Sequence, residues 1–480
     1  MKELAERALN AAQVAGASYA DVRVVRRETQ RIAVKDGQVG ELTQDEDQGF
    51  GVRAIADGAW GFASSSVLTL AEAERVAAMA VAIARASALV KAGSVQLGLP
   101  EVHVGSYRTP VRQDPFAVPL EDKLALLLRA DEGMRRVKGI RVSEANLEFL
   151  RESKFFASTE GSRVEQVLVE SGAGLEATAV GDGELQKRSY PNSFGRHQGT
   201  AGYEFVEALD LAGHAQEIAE EAVALLSAPA CPSGVTTLII GGSQLALQVH
   251  ESCGHPTELD RVFGSEASYA GTSFLTPDKL GSFRYGSPVV NLTADATIPA
   301  GLGTFGYDDE GIPAQRTPLV REGIFVGYLT SRETAARLGQ RSNGTMRADG
   351  WNRIPIIRMT NINLEPGSWT LADLIADTEE GLFIDVNKSW SIDDRRLNFQ
   401  FGTELAYEIK HGRLGRLYKN ATYTGITPCF WGSCDAVCGA AEWRVWGTPN
   451  CGKGEPTQTA HVGHGTAPAR FRNVQVGVMR

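Results

Sequence analysis

Two histidines and a glutamate stand close together in His250-Glu251-Ser252-Cys253-Gly254-His255. Metal-assisted hydrolysis needs side chains of these types. Imidazole nitrogen, thiolate sulfur and carboxylate oxygen hold zinc, and a catalytic zinc keeps three protein donors with a fourth position open to water. Glu251, beside the first donor, is placed to take a proton from the attacking water and hand it to the departing amine. The usual spacing of such histidines is four, because residues four apart lie about 40° around a helix and share one face. Here the spacing is five, which on a regular helix sets the rings roughly 140° apart. A regular helix cannot use both. Gly254 permits torsions that other residues resist, and Pro256 disfavours the helical conformation at His255. The expectation is a helix that distorts or ends near Gly254, letting His255 swing back towards an ion held by His250. The residues alone leave a plainer reading open, in which two histidines are merely hydrogen-bonded at a helix end.

The elements around the motif follow from composition and pattern. The chain has 480 residues, 43% hydrophobic and 22% charged, which is ordinary for a folded, water-soluble protein. A net charge of -10 without a basic block argues against nucleic-acid binding. The charged amphipathic start Met1–Arg7 is unlike a signal peptide. The most apolar stretch, Val76 to Val90, carries Arg85 and falls short of the roughly 20 clean residues of a membrane span. A soluble cytoplasmic protein is expected, and its six cysteines are too few for a disulfide framework.

The predicted fold class is α+β. An N-terminal α/β unit of strands and long helices covers residues 1–227, with subdomains at about 1–115 and 116–227. A β-rich catalytic domain with an embedded metal-binding helix covers 235–480. Turn signals at Asp36-Gly37 and Asp57-Gly58 separate early strands. Thr69-Leu70-Ala71-Glu72 has the form of a capping box, and Pro119, Glu121 and Asp122 mark a helix running to about Arg136. Strands follow from Gly139 to Gly202, with turns at Glu160-Gly161 and Asp182-Gly183, and then a helix from Phe205 to Ser227. Ala228 to Gly234, bearing proline and glycine, is the expected boundary. Beyond it come a buried strand at Val235–Ile240, a helix from Gln244 capped by Ser243, and a hairpin around Glu322-Gly323.

The motif and its surroundings resemble the TldD/PmbA metallopeptidase family, of the TldD-like catalytic type. His250 to His255, continued by Pro256-Thr257-Glu258-Leu259-Asp260, is similar to the family's signature. Tyr307-Asp308-Asp309-Glu310-Gly311, Arg358-Met359-Thr360-Asn361 with Glu365-Pro366-Gly367, and Asn450-Cys451-Gly452-Lys453-Gly454 stand in the family's order across most of 235–460. The resemblance implies that Cys451 is the third ligand of one Zn2+ per chain and that the substrates are unstructured peptides. It also implies a dimer, with itself or with the metal-free paralogue called PmbA or TldE.

Other residues are weighed beside these. Glu258 and Asp260 are candidates to orient a histidine ring. Asp309, Arg358 and Asn361 are candidates to contact substrate. His461 and His464 compete with Cys451 as the third ligand. Cys253 as a nucleophile is the lesser reading beside a packing role. Cys429, Cys434 and Cys438 match no standard metal spacing and read as buried thiols. Two rival functions remain: a metal-assisted amidase or deacylase acting on small molecules, and a non-catalytic peptide-binding partner with a structural zinc.

Overall fold

A computed structural model describes residues 1–181 and 183–478, and Asp182 of the second turn signal lies outside them. The α+β class is as expected. An eight-stranded sheet forms the N-terminal lobe, its main path running 59–65, 38–56, 19–35, 140–158, 163–181 and 104–108. Its pairs are antiparallel except the last, so the lobe is α+β rather than a wound α/β sheet. Asp36-Gly37 and Asp57-Gly58 all have positive φ, 51° and 81°, then 50° and 77°. Such two-residue turns match the right-handed twist of the long strands they join.

Two helix pairs cover this sheet, in two separate cores. Lys2–Val14 packs on Leu70–Ala88, with Leu4, Leu9, Val76 and Val81 turned inwards. Leu120–Arg135 packs on Leu211–Ser227, around Leu127, Met134, Ile218 and Leu225. Only half of the capping box forms: Thr69 accepts from the Glu72 amide, while the Glu72 carboxylate binds Arg75. The helix expected from Phe205 is broken at Asp210, whose φ is 44° and whose side chain caps the second piece.

The C-terminal half is built on a seven-stranded sheet. Strands 380–392, 234–240, 469–478, 421–426 and 398–410 pair in turn, and the first and last pair again, closing a barrel. A core of Leu238, Ile240, Phe401, Tyr423, Phe430, Trp431 and Phe471 fills it. Short helices at Arg332–Arg337, Leu371–Ala376 and Thr427–Gly432 add to the one embedded helix read from the sequence. No helix among the described residues is long and apolar enough to cross a membrane.

Candidate metal centre

Strand Gly234–Ile240 runs out of the barrel and the chain turns at once into helix Gly242–Val249. Ser243 does not cap this helix. Gly241 holds the cap position, Ser243 Oγ donates to Asn192, and Asp385 from the neighbouring strand accepts the Gln244 amide at 3.1 Å. That carboxylate suits the positive end of the helix dipole.

The helix distorts at the motif, as expected, but not through glycine torsions at Gly254 or unwinding at Pro256. Residues His250–Gly254 form a π-helical turn, in which the His255 amide bonds back to the His250 carbonyl. A bond from i to i+5 sets residues five apart one above the other, so the spacing that defeats an α-helix fits this one. The rings of His250 and His255 meet edge to face, 4.9 Å between centroids. Gly254 and His255 both keep right-handed helical torsions, so Gly254 is not needed for its freedom and Pro256 does not unwind the turn. What Gly254 supplies is space: a Cβ there would stand 2.2 Å from Met359 Sδ, so the buried methionine would have to shift.

Widening a helix loosens carbonyls from their usual partners, and here neighbouring side chains take them up. Tyr285 OH donates to the Ser252 carbonyl at 2.7 Å, and Thr257 Oγ1 lies 2.9 Å from both the Cys253 and Gly254 carbonyls. Trp431 Nε1 donates to Ser252 Oγ.

Cys451 arrives from the hairpin 444–453/458–466. Donor atoms of His250, His255 and Cys451 lie within 4.8 Å of one another, all three residues buried. This is the one group of three or more such side chains with that geometry among the described residues. Each histidine has its far nitrogen occupied. His255 Nδ1 lies 2.9 Å from Glu258 Oε2, and His250 Nδ1 lies 2.8 Å from His464 Nε2. Both Nε2 atoms are thereby left facing the thiol as acceptors, the tautomer a metal requires. For His250 this means that His464 accepts at Nε2 and stays neutral, as its burial favours. Burial by itself would raise the Cys451 thiol, but positive charge on His250, itself raised by the thiolate, and on Arg358 outweighs it and holds the thiol well below the ordinary range; a metal would take the place of that proton on His250. Two imidazoles and an acidic thiol fit a zinc-type ion.

Supporting contacts extend outwards. Lys453, fully buried, lies 3.5 Å from Glu258 and donates to Asp260 at 2.7 Å, so Asp260 reaches His255 only through Lys453 and Glu258. Arg358 donates to the carbonyls of Cys451 and Gln458, at 2.5 and 2.8 Å, and so braces the hairpin. Asn361 is 0% exposed and its amide is used on Asp295, Thr304 and Gly303, away from the site. Asp309 lies between Lys154 and Arg23 in a recess beside the cleft. His461 faces Glu170 at 2.5 Å. Burial pushes the thiols of Cys253, Cys434 and Cys438 up, Cys434 to about 12, as suits packed groups. Cys429 is exposed and all six cysteines are free.

Glu251 lies on the same turn and its carboxylate pairs with Arg396 Nη1. Arg396 was not foreseen. It sits at the tip of the hairpin 380–410 with φ 63°, far from the motif in sequence, and nothing local marks it. His250, Glu251, His255, Arg396 and Cys451 line a cleft of about 1230 Å³ between the lobes. The opposite wall comes from Arg27, Arg31, Glu144, Asn146, Glu148 and Leu150 of the N-terminal sheet. At the mouth, Phe194 and Trp390 stand edge to face, both exposed.

Comparison with known proteins gives three family-model matches and several full-length relatives. The PmbA/TldA metallopeptidase domain 1 matches residues 20–84, the central domain 113–226 and the C-terminal domain 233–478. A metalloprotease of Methanocaldococcus jannaschii is 31% identical over 93% of this chain and 94% of its own. A metalloprotease of Synechocystis is 30% identical, covering 96% and 95%. Among solved structures, TldE from Thermococcus kodakarensis superposes with a TM-score of 0.78 at 16% identity, over 98% of this chain and 99% of that one, a likeness of fold alone.

Proposed function

Since the chain belongs to the PmbA/TldD metallopeptidase family, we propose that it is a zinc-dependent peptidase acting on flexible peptides in the cleft between its lobes. The observation that carries this reading is the buried His250/His255/Cys451 donor set on the cleft floor with Glu251 beside it. His250, His255 and Cys451 are the residues that would hold the metal. When bound, such an ion supplies Lewis acidity, polarising an amide carbonyl and making water acidic enough to attack near neutral pH.

The chain's own residues do the rest. Glu251 is the general base: its carboxylate takes the proton of the attacking water and delivers it to the leaving nitrogen as the C–N bond breaks. Arg396 holds that carboxylate in place. Glu258 and His464 fix the two imidazoles in the useful tautomer, and Arg358 fixes the backbone that carries Cys451. An extended peptide fits a cleft of this size, and the walls around the floor limit water. The fold likeness to TldE, together with the family, supports a dimer with itself or with a metal-free paralogue.

Metal analysis by mass spectrometry tests the centre directly. About one zinc per chain is expected in the wild type, with zinc lost in both His250→Ala and Cys451→Ser. Glu251→Gln should retain zinc and lose peptide cleavage. Cleavage that survives Glu251→Gln would overturn the mechanism, and a wild type that takes up no zinc would overturn the assignment.

A further inference from the structure

A small recess of about 80 Å³ opens beside the cleft and shares Arg27, Leu150, Asp349, Thr459 and His461 with it. Its charges do not balance by pairs. Arg27 is matched by Glu152 and Asp349, Lys154 by Glu152 and Asp309, and His461 by Glu170. Two guanidinium groups in its wall, Arg347 and Arg358, have no carboxylate within ion-pair distance among the described residues. Both are fixed by neutral groups instead. Arg347 Nη1 donates to the carbonyls of Met359 and His461, at 3.1 and 2.7 Å, and its head lies 5.5 Å from the centre of the Phe305 ring. Arg358 donates to Cys451 and Gln458, and its Nε is buried without a partner.

Desolvated positive charge without a counterion is costly, and a bound anion relieves that cost. Burial pushes the Arg347 guanidinium down and the like charge of Arg358 adds to the fall, and the longer-range attraction of Glu170, Asp309 and Glu152 offsets this only in part. The chemistry of the missing partner is constrained. Arginine forks match planar carboxylates with two parallel hydrogen bonds. The five carboxyl groups that line the same recess, Glu152, Glu170, Asp308, Asp309 and Asp349, disfavour a doubly charged group such as a phosphate ester.

The position gives this anion a function. Cys451 pairs with Ala460 across the hairpin ladder, and Ala460, with Thr459 and His461 on either side, lines the recess. The recess therefore begins one rung, on the order of 5 Å between Cα atoms, from the residue that would supply the thiolate. We propose that Arg347, with Arg358 behind it, receives a carboxylate of the peptide, so that bonds near a C-terminus or near an acidic side chain are presented for cleavage. This rests on the peptidase reading for the identity of the substrate, though not for the binding itself.

The test uses metal-free full-length protein, in which nothing can be cleaved. The probes are N-terminally dansylated peptides of alternating alanine and glycine: one with a free C-terminus, one amidated, and one amidated but carrying a glutamate near its end. Fluorescence titration should show the free acid binding at least about tenfold tighter than the plain amide. Arg347→Met should erase that difference while leaving the affinity of the amide unchanged. Recovery of tight binding by the glutamate peptide would assign the site to side-chain carboxylates as well, and failure to recover would restrict it to the C-terminus. Equal binding of acid and amide by the wild type, no binding of any probe, or a preference that survives Arg347→Met would each overturn the proposal. Since no metal is present, an inactive metal-loaded enzyme would sink the peptidase reading and leave this result standing.

Discussion

Arg396 shows how one side chain can matter without belonging to any motif. Its guanidinium binds the carboxylate of Glu251 while its Nε is buried with no acceptor. Its carbonyl is pinned by Thr427 Oγ1 at 2.9 Å, and its φ of 63° is a conformation that non-glycine residues adopt at some cost. Such an arrangement aims Glu251 rather than binding the metal. In the role of general base proposed for Glu251, loss of aim would be felt strongly, since a displacement of about 1 Å is worth on the order of 100-fold in rate. Arg396→Met is therefore expected to lower kcat by about 10- to 100-fold with KM and zinc content little changed, and Arg396→Lys to restore part of the loss. Steady-state kinetics with parallel metal analysis reads this. A variant that loses zinc together with activity would make Arg396 a structural brace instead.

The π-helical turn is the element on which the site depends, and the sequence pointed at it only obliquely. The types His250, Glu251 and His255 were legible, and so was the fact that a regular helix fails them. That the helix distorts there was legible too, but not the cause, because Gly254 and Pro256 are local signals for bending, whereas the widening is fixed by distant groups. Tyr285, Trp431 and Met359 reach the turn from other parts of the chain, and no spacing rule connects them to it. The same holds for His464, read as a competing ligand and found 2.8 Å from the far nitrogen of His250. Hairpin turns such as Asp36-Gly37 were legible because their chemistry is local. A substitution separates the two accounts of Gly254. On helix propensity alone, alanine would stabilise the turn by about 1 kcal/mol. Packing predicts the reverse, a loss of about 1–3 kcal/mol as the new methyl meets Met359. Gly254→Ala should lower the midpoint of thermal unfolding and weaken zinc retention, and Gly254→Ala with Met359→Ala should recover part of both. A stabilised single variant would show that the contact yields freely.

At the scale of the whole molecule, the cleft exists because two lobes are held at a fixed distance, and the acidic turn 308–310 does much of the holding. Asp308 accepts the amides of Glu310, Ile312 and Met346, Glu310 pairs with Arg53, and Asp309 lies 2.7 Å from Lys154 and 3.8 Å from Arg23. Arg23, Arg53 and Lys154 all belong to the N-terminal sheet, so these pairs cross from lobe to lobe. Asp309 is 1% exposed. Burial would raise its carboxyl, but Lys154 and Arg23 outweigh that and hold it below the usual range. A carboxyl depressed in the folded state adds stability that is fully present above its unfolded value, near 4, and is lost as pH falls through the folded value. Removing Asp309 leaves two buried cations without this partner, a change that costs about 3–5 kcal/mol. Asp309→Ala should therefore be less stable than the wild type by that amount at neutral pH, in denaturant titrations of metal-free protein. The gap between the two proteins should stay constant down to about pH 4 and narrow below it, because protonation then takes from the wild type what the substitution takes from the variant. Buried Asp308 and Glu310 titrate in the opposite sense, with carboxyls raised by burial, but they are common to both proteins and cancel in the difference. A gap that is small at pH 7, or that widens in acid, would mean that the lobes are joined by their apolar contacts and that the charged turn only decorates the seam.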